Sequence, residues 1–405
     1  MTAAADPNPE SRPRRTILWI VLGVILALAV GYGVWSARAS GRLARAWRDA
    51  IAAGLVRSVD DLPAWQDESF GPIAPEANGA TAVLAAAREI GEAWVPEVEW
   101  PEDPAAPVSL PPDAVAFLES HTAALAHLDA ARAAPRSRLP IDWNRKPLPE
   151  PPVLAVGNAA DLVRLDAARA IVAGDTAALR VDVARLAAVA RTFEEVPMSI
   201  AATVHLSLLT KTDDLLRRLL LVVEDPVAAH AALAPVPPRD VAFRAVVGDN
   251  SWVTSVGEQL EAGFGSGLGG GLDILLGSGL ASPWLRDELA LVVACYADLA
   301  ALRPLAPDAR IAPAAALDER IATEGGLVAR LLAMGMERLV RQEAEVLERL
   351  RVTRLGAGAL AFAAEHDRWP ASPAEMDTEG HGIAWDVQDR VLTVGRAPAA
   401  WRLVR

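Results

Sequence analysis

The first pattern along the chain is an unbroken apolar run. From Ile17 to Trp35 nineteen residues carry no charge, and at 1.5 Å per residue a helix of that length spans about 28 Å, close to the ~30 Å hydrocarbon core of a bilayer. Only a helix satisfies its own backbone there as a single segment, so the run predicts a transmembrane helix over 16–36. Trp19 at one end and Tyr32 with Trp35 at the other fit an interfacial aromatic belt, and Arg12, Arg14 and Arg15 in the tail 1–15 precede it as a cationic stop. Beyond the run, Leu43, Trp47, Ile51 and Leu55 fall on one helical stripe with Arg42, Arg45 and Arg48 elsewhere on the surface. That spacing predicts a juxtamembrane helix within 37–56, ending near Gly54.

Two proline-rich stretches, 96–112 and 135–152, cannot hold a helix, because each proline removes a donor and restricts the residue before it. The region 57–157 is therefore expected to be extended, with Trp100 and Trp143 packed on neighbouring helices and short helices between. Val83, Ala87, Ile90 and Trp94 form one helical stripe, and Leu118, Leu125 and Leu128 another. Residues 158–348 read as a helical body. Leu179, Val183, Leu186 and Phe193 share one face, and Ile200, Val204, Leu208, Leu215 and Leu219 the next. Gly174 is placed to end one helix and Asp175 to cap the following one. Short connections imply antiparallel neighbours. Leu285, Leu289, Val292, Tyr296 and Leu299 form a further packed face.

A long helix is predicted from Gly326 to His366, stopped by Trp369-Pro370. Ser372-Pro373-Ala374-Glu375 has the form of a capping box. In the closing region 349–405, Val391, Leu392 and Val394 around Thr393 suggest two or three short strands. The predicted fold class is mainly α: an N-terminal transmembrane helix, an antiparallel helical bundle or array, and a small C-terminal β element.

Composition narrows the function classes. With 52% hydrophobic and 22% charged residues the chain of 405 residues buries ample apolar surface and is not a disordered polymer. The net charge is -13, and of 39 basic residues only Lys146 and Lys211 are lysine. An acidic surface repels a phosphate backbone, so no nucleic-acid partner is expected. The lone Cys295 has no cysteine to pair with inside the chain. It lies beside the Leu285–Leu299 stripe and reads as a small buried hydrophobe.

Orientation in a membrane rests on the short Arg-rich tail, which points to a cytoplasmic N terminus with the large region after it exported. Arg38, Arg42, Arg45 and Arg48 nearly balance the positive-inside count. Ala37-Arg38-Ala39 formally offers a signal-peptide cleavage site, but the apolar run exceeds the usual signal core of about 7–15 residues.

Candidate chemistry is sparse. Gly265-Ser266-Gly267-Leu268-Gly269-Gly270 satisfies G-x-G-x-x-G, yet the pattern before it is helical and no G-K-[ST] follows, so it reads as an inter-helix loop. Six histidines, His121, His127, His205, His230, His366 and His381, include no pair at i, i+4. His121 and His127 stand about 240° apart on a helix. Glu365-His366-Asp367 sits at a helix end, where the dipole accounts for a histidine. The doublets Asp60-Asp61, Glu194-Glu195 and Asp213-Asp214 point about 100° apart on a helix and read as solvated surface. Trp65, Trp94, Trp100 and Trp143 fall near element boundaries and read as structural anchors rather than a glycan-stacking surface. No catalytic residue, metal ligand or cofactor site is assigned.

The series Pro75-Glu76-Ala77-Asn78-Gly79-Ala80, Leu139-Pro140-Ile141-Asp142-Trp143, Gly174-Asp175 and the block from Arg351 to Pro370 resembles a family of uncharacterised bacterial proteins. Its members have an N-terminal anchor, an Ala- and Leu-rich helical body and a closing A-L-x-x-[FY]-x-x-x-H-G-x-[YW]-P-x-S segment. Ala359 to Met376, with Asp367 where glycine is usual, is also similar to the helix-to-loop passage of type II secretion pseudopilins, although the pseudopilin cleavage motif is missing. The resemblance implies an architecture and no activity.

The expected function is a single-pass protein of the bacterial inner membrane, touching lipid through 16–36, whose extracytoplasmic helical domain binds or scaffolds an envelope protein partner. An accessory role in a secretion or pilus-like apparatus and an envelope hydrolase are the alternatives. No enzymatic activity is assigned.

Overall fold

The computed structural model describes residues 11–143, 145, 151–231, 240–261, 282–333, 335–376, 383–388, 391–395 and 400–404. In chain order the helices are α1 (Ser11–Ala52), α2 (Leu62–Phe70), α3 (Gly79–Ile90), α4 (Ala114–Ser120), α5 (Thr122–Ala133), α6 (Val153–Ala173) and α7 (Thr176–Arg191). They continue with α8 (Ser199–Val222), α9 (Pro226–Ala231), α10 (Val241–Glu261), α11 (Ser282–Ala301), α12 (Ile311–Glu324), α13 (Leu327–Leu332) and α14 (Met336–His366). Strands β1 (Trp385–Gln388), β2 (Val391–Val394) and β3 (Trp401–Val404) close the chain. The fold is mainly α with a small C-terminal sheet, as the pattern predicts.

Helix α1 is one continuous rod of about 63 Å, and its two halves meet different surroundings. Every residue from 19 to 31 is exposed, with Trp19 70% accessible. This stretch is long and apolar enough to cross a membrane, reaching a mean hydropathy of 2.1 with none of that window buried against the rest of the chain. Beyond Ser36 the helix docks on α11 and buries Ala39, Ala46, Trp47 and Ala50. Alanines at these positions let the two axes approach closely. Ile51, expected on the packed stripe, is instead 55% exposed, because the docking face follows the alanines rather than the bulkiest residues. Arg42 grips Asp287 with a bidentate fork at 2.6–2.9 Å, and Trp35 Nε1 donates to the same carboxylate at 3.1 Å.

Two helical cores share α8. In the first, α3 to α8 pack Leu118, Leu128, Leu162, Leu165, Leu179, Leu186 and Phe193 against one another. Here helix starts are capped from their own sequence: Asn78 Oδ1 accepts from the Ala80 N–H at 3.1 Å, and Asp175 Oδ1 from the Ala178 N–H at 2.9 Å. Gly174, at φ +67, ends α6 in the left-handed conformation the sequence predicts. Ile200 lies outside this core at 42% exposure, and Trp94, past the end of α3 at Gly91, is 85% exposed and anchors nothing.

The second core joins the docked half of α1 to α10–α14 and the start of α8. Its helix starts are capped by carboxylates from other helices. Glu288 of α11 accepts from the Gly326 and Ala329 N–H groups at the start of α13, at 2.8–2.9 Å. Asp318 of α12 accepts from Met336 and Glu337 at α14, and Glu343 of α14 from Val241 at α10. Such pairings neutralise the orphan donors and the positive end of each helix dipole. They also explain a correction: the predicted helix from Gly326 to His366 is broken between Leu332 and Met336. Ala333 turns extended, Gly335 is a poor helix former, and the Asp318 carboxylate supplies α14 with a start of its own.

A third cluster covers the end of α14 with the sheet, ordered β1-β2-β3 and antiparallel throughout. Leu392 opposes Leu403 and Val394 opposes Trp401, which puts all four on the buried face. A Cβ at Gly356 would collide with the Trp401 ring, so this glycine lets the sheet seat on α14. The Ser372 segment forms a 3-10 turn over Pro373–Met376 instead of an α-helix; Glu375 folds back to accept from the Ala371 N–H at 3.1 Å and to pair with Arg368.

Candidate functional site: an apolar cavity with an enclosed carboxyl

Charge is gathered into the interior. Two of the three acidic doublets, expected on the surface, each contribute a buried member. Asp213 is 1% exposed and accepts from Arg217 Nε at 2.9 Å and Arg349 Nε at 2.8 Å, tying α8 to α14. Glu195 holds Arg136 and Arg138 at 2.7 Å each, pinning the second proline-rich stretch to the turn after α7. Asp60 and Asp61 stay exposed. Arg185 of α7 binds Asp129 of α5, Asp166 of α6 and Asp182 at 2.7–3.0 Å. Burial together with the neighbouring Asp166 raises the Asp182 carboxyl to about 8, whereas Arg185 lowers that of Asp129. These networks lock helices together, and the arginines already fill the space between the carboxylates.

The first of the motifs behind the family resemblance meets the residue that leads into the second. Asn78 Oδ1 also accepts from the Arg138 N–H at 2.8 Å, and Asn78 Nδ2 donates to the Arg138 carbonyl at 2.7 Å. Trp143 Nε1 donates to Gln66 Oε1 at 3.2 Å, so this tryptophan is the anchor expected of it. Trp100 is sandwiched by the guanidinium groups of Arg164 and Arg218, 5.1 and 5.2 Å from its ring. Trp65 meets Phe70 edge to face.

Among the described residues the histidines form no metal-holding cluster. His121 stacks on Phe117 and His366 on Phe362. His205 is buried with Nδ1 on the Ala190 carbonyl at 2.8 Å, and desolvation lowers its pKa to about 4, so it is a neutral core residue. No group of three or more His, Cys, Asp or Glu side chains that could hold a metal occurs among the described residues. Burial raises the Cys295 thiol to about 11, which leaves it a poor nucleophile. The glycine motif at 265–270 and His381 lie outside the described residues.

One feature remains that packing alone does not consume. A cavity of about 200 Å³ is walled by Val59, Leu62, Trp143, Met198, Leu332 and Trp252, with Trp252, 42% exposed, at its rim. Its polar edge is Ser199, Gly248 and Asp249. Gly248 creates that edge: a Cβ there would collide with the Pro197 carbonyl, so only glycine lets α10 press against the turn that opens α8. The approach brings Asp249 Oδ1 to the Ser199 N–H at 3.4 Å, a cap for α8 from another helix. Oδ2 is sealed from solvent and has no hydrogen-bond partner among the described residues. Burial pushes the carboxyl up to about 7, opposed only by the hydrogen bonds from Ser199. The sequence signal for this site is the polar run Gly248-Asp249-Asn250-Ser251 inside an otherwise apolar helical pattern.

No family model, curated protein or solved structure matches the chain.

Proposed function

We propose that the chain is a single-pass protein of the bacterial inner membrane, anchored through residues 16–36, whose helical body lies outside the cytoplasm and acts as a binding or scaffolding module. The observation that carries this reading is the apolar surface of α1, open on all sides from Trp19 to Gly31. In water so much contiguous apolar surface is strongly unfavourable, and a helix that is hydrophobic all round belongs in a core or in lipid. The short Arg-rich tail before the span supports a cytoplasmic N terminus, since long domains after a first span are exported largely regardless of their charge.

Alkaline carbonate extraction of membranes tests the anchor: the intact chain stays in the pellet if the reading holds, and recovery in the supernatant overturns it. Reporter fusions after Arg48 and at Arg405 test the orientation. Periplasmic alkaline phosphatase activity from both supports export of the body, and cytoplasmic signal from both overturns it.

A further inference from the structure

We propose that a second cavity, at the seam between the first helical core and the cluster under the C-terminal sheet, binds a medium-chain aliphatic carboxylate. This cavity of about 400 Å³ lies between the loop at Pro104 to Pro107, the turn from α6 into α7, the end of α8 and Arg402 of β3. Its size falls within the range of small-molecule pockets, about 300–1,000 Å³, which are mostly apolar with a few placed polar groups. A cavity of about 150 Å³ already takes benzene. Pro107, Ile171, Leu179, Leu221 and Val222 supply the apolar wall. Leu179 is buried and Val222 is 55% exposed, so the wall runs from the core out to solvent and suits an alkyl chain entering from outside.

The charge of the lining points to an anion. Two guanidinium groups line the cavity, Arg218 of α8 and the exposed Arg402 of β3. The Nη atoms of Arg218 donate to the carbonyls of Pro101, Asp103, Pro104 and Ala106 at 2.7–3.4 Å, which fixes the loop that forms one wall. Carbonyls satisfy those donors but carry no net charge, unlike the carboxylates held by Arg185 and Arg217. Burial accordingly lowers the Arg218 pKa, opposed by the fields of Asp214 and Asp103; an anion in the cavity reinforces that opposition. Arg402 is the accessible fork, and its planar geometry matches a carboxylate. Asp175 shares the lining while its Oδ1 caps α7. Its charge repels a second negative charge, which favours a monoanionic carboxylate over a phosphate dianion.

The test is an NMR titration of the full-length protein in mild detergent, with empty micelles as the control. The probes are hexanoate, the uncharged hexanamide and the cationic hexylamine. At neutral pH hexanoate binds at least about tenfold more tightly than hexanamide, and hexylamine does not bind. The Ile171 methyl signal, assigned through its loss in Ile171→Val, shifts as hexanoate is added. Arg402→Gln lowers the preference for hexanoate over hexanamide at least about fivefold. Hexanamide binding persists in that variant, which also shows that it is folded. Val222→Asp, on the exposed part of the wall, weakens hexanoate by like-charge repulsion at least about fivefold. Equal binding of hexanoate and either other probe, no binding of hexanoate to the wild-type protein, or an unmoved Ile171 signal overturns the proposal. Retention of the wild-type preference in Arg402→Gln, or of the wild-type hexanoate affinity in Val222→Asp, does so as well.

Discussion

The two halves of α1 are both rich in apolar residues and both helical, yet one stands free and the other is built into a core. Between Trp19 and Gly31 large residues point in every direction and no charge interrupts them. Between Ser36 and Ala52 the same helix alternates: Ala39, Ala46, Trp47 and Ala50 turn inward, while Arg45, Arg48 and Asp49 turn out. Hydrophobicity by itself does not decide where a helix goes. Its distribution around the axis does, because an apolar stripe is buried by one neighbour whereas an apolar cylinder needs an apolar solvent.

That contrast is broken most severely by a charge on each half. Ala50→Asp puts an unpaired carboxylate into the second core, costs on the order of 4 kcal/mol or more and leaves a body that no longer melts cooperatively by circular dichroism. Leu26→Asp leaves the melting of the body unchanged and instead weakens membrane insertion by about 2.5–3.5 kcal/mol, read as release during carbonate extraction. Trp47→Ala removes a buried indole that Arg57 also covers at 5.7 Å, and lowers stability by about 3–4 kcal/mol, measured by chemical denaturation; Trp19→Ala in the free half, where the ring is 70% exposed, has no comparable effect.

The core that receives the docked half also contains Asp249, and there pH sharpens the contrast. The carboxyl is raised from 3.8 to about 7 in the fold, so folding favours its protonated form. Its contribution is fully present below about pH 4 and is lost as pH rises toward 7. Asp249→Asn abolishes that loss, so the variant matches the wild type at pH 4 and exceeds it by about 2–4 kcal/mol at pH 8, checked by urea midpoints at both values. The smallest effect is at the surface. Arg42→Ala removes a half-exposed fork on Asp287, costs about 0.2–1 kcal/mol and becomes undetectable at high salt.

What could be read in the sequence was what is local. The apolar run, the Gly174-Asp175 boundary and the Leu285 to Leu299 face depend on residues within a turn or two of one another, and all appear in the fold. The buried acids were misread because their partners are remote: Asp213 answers to Arg349 and Glu195 to Arg136 and Arg138, 57–136 residues away. The break before Met336 has the same origin, since the cap that starts α14 comes from Asp318 of a different helix. The cavity was invisible for a related reason. It exists because Gly248 lets two segments 50 residues apart touch, and helical periodicity carries no record of which glycine another backbone will approach.

The most direct measurement of the central claim is a spin-label scan along α1 in lipid vesicles, with Cys295 replaced by alanine and single cysteines placed from 20 to 34 and from 39 to 55. The account predicts high oxygen and low water-soluble nickel accessibility at every position of the first segment, without helical periodicity, and strongly immobilised labels at 39, 46 and 50 in the second. Nickel accessibility through the first segment, or a protected stripe recurring along it every three to four residues, would contradict a helix whose apolar half is solvated by lipid.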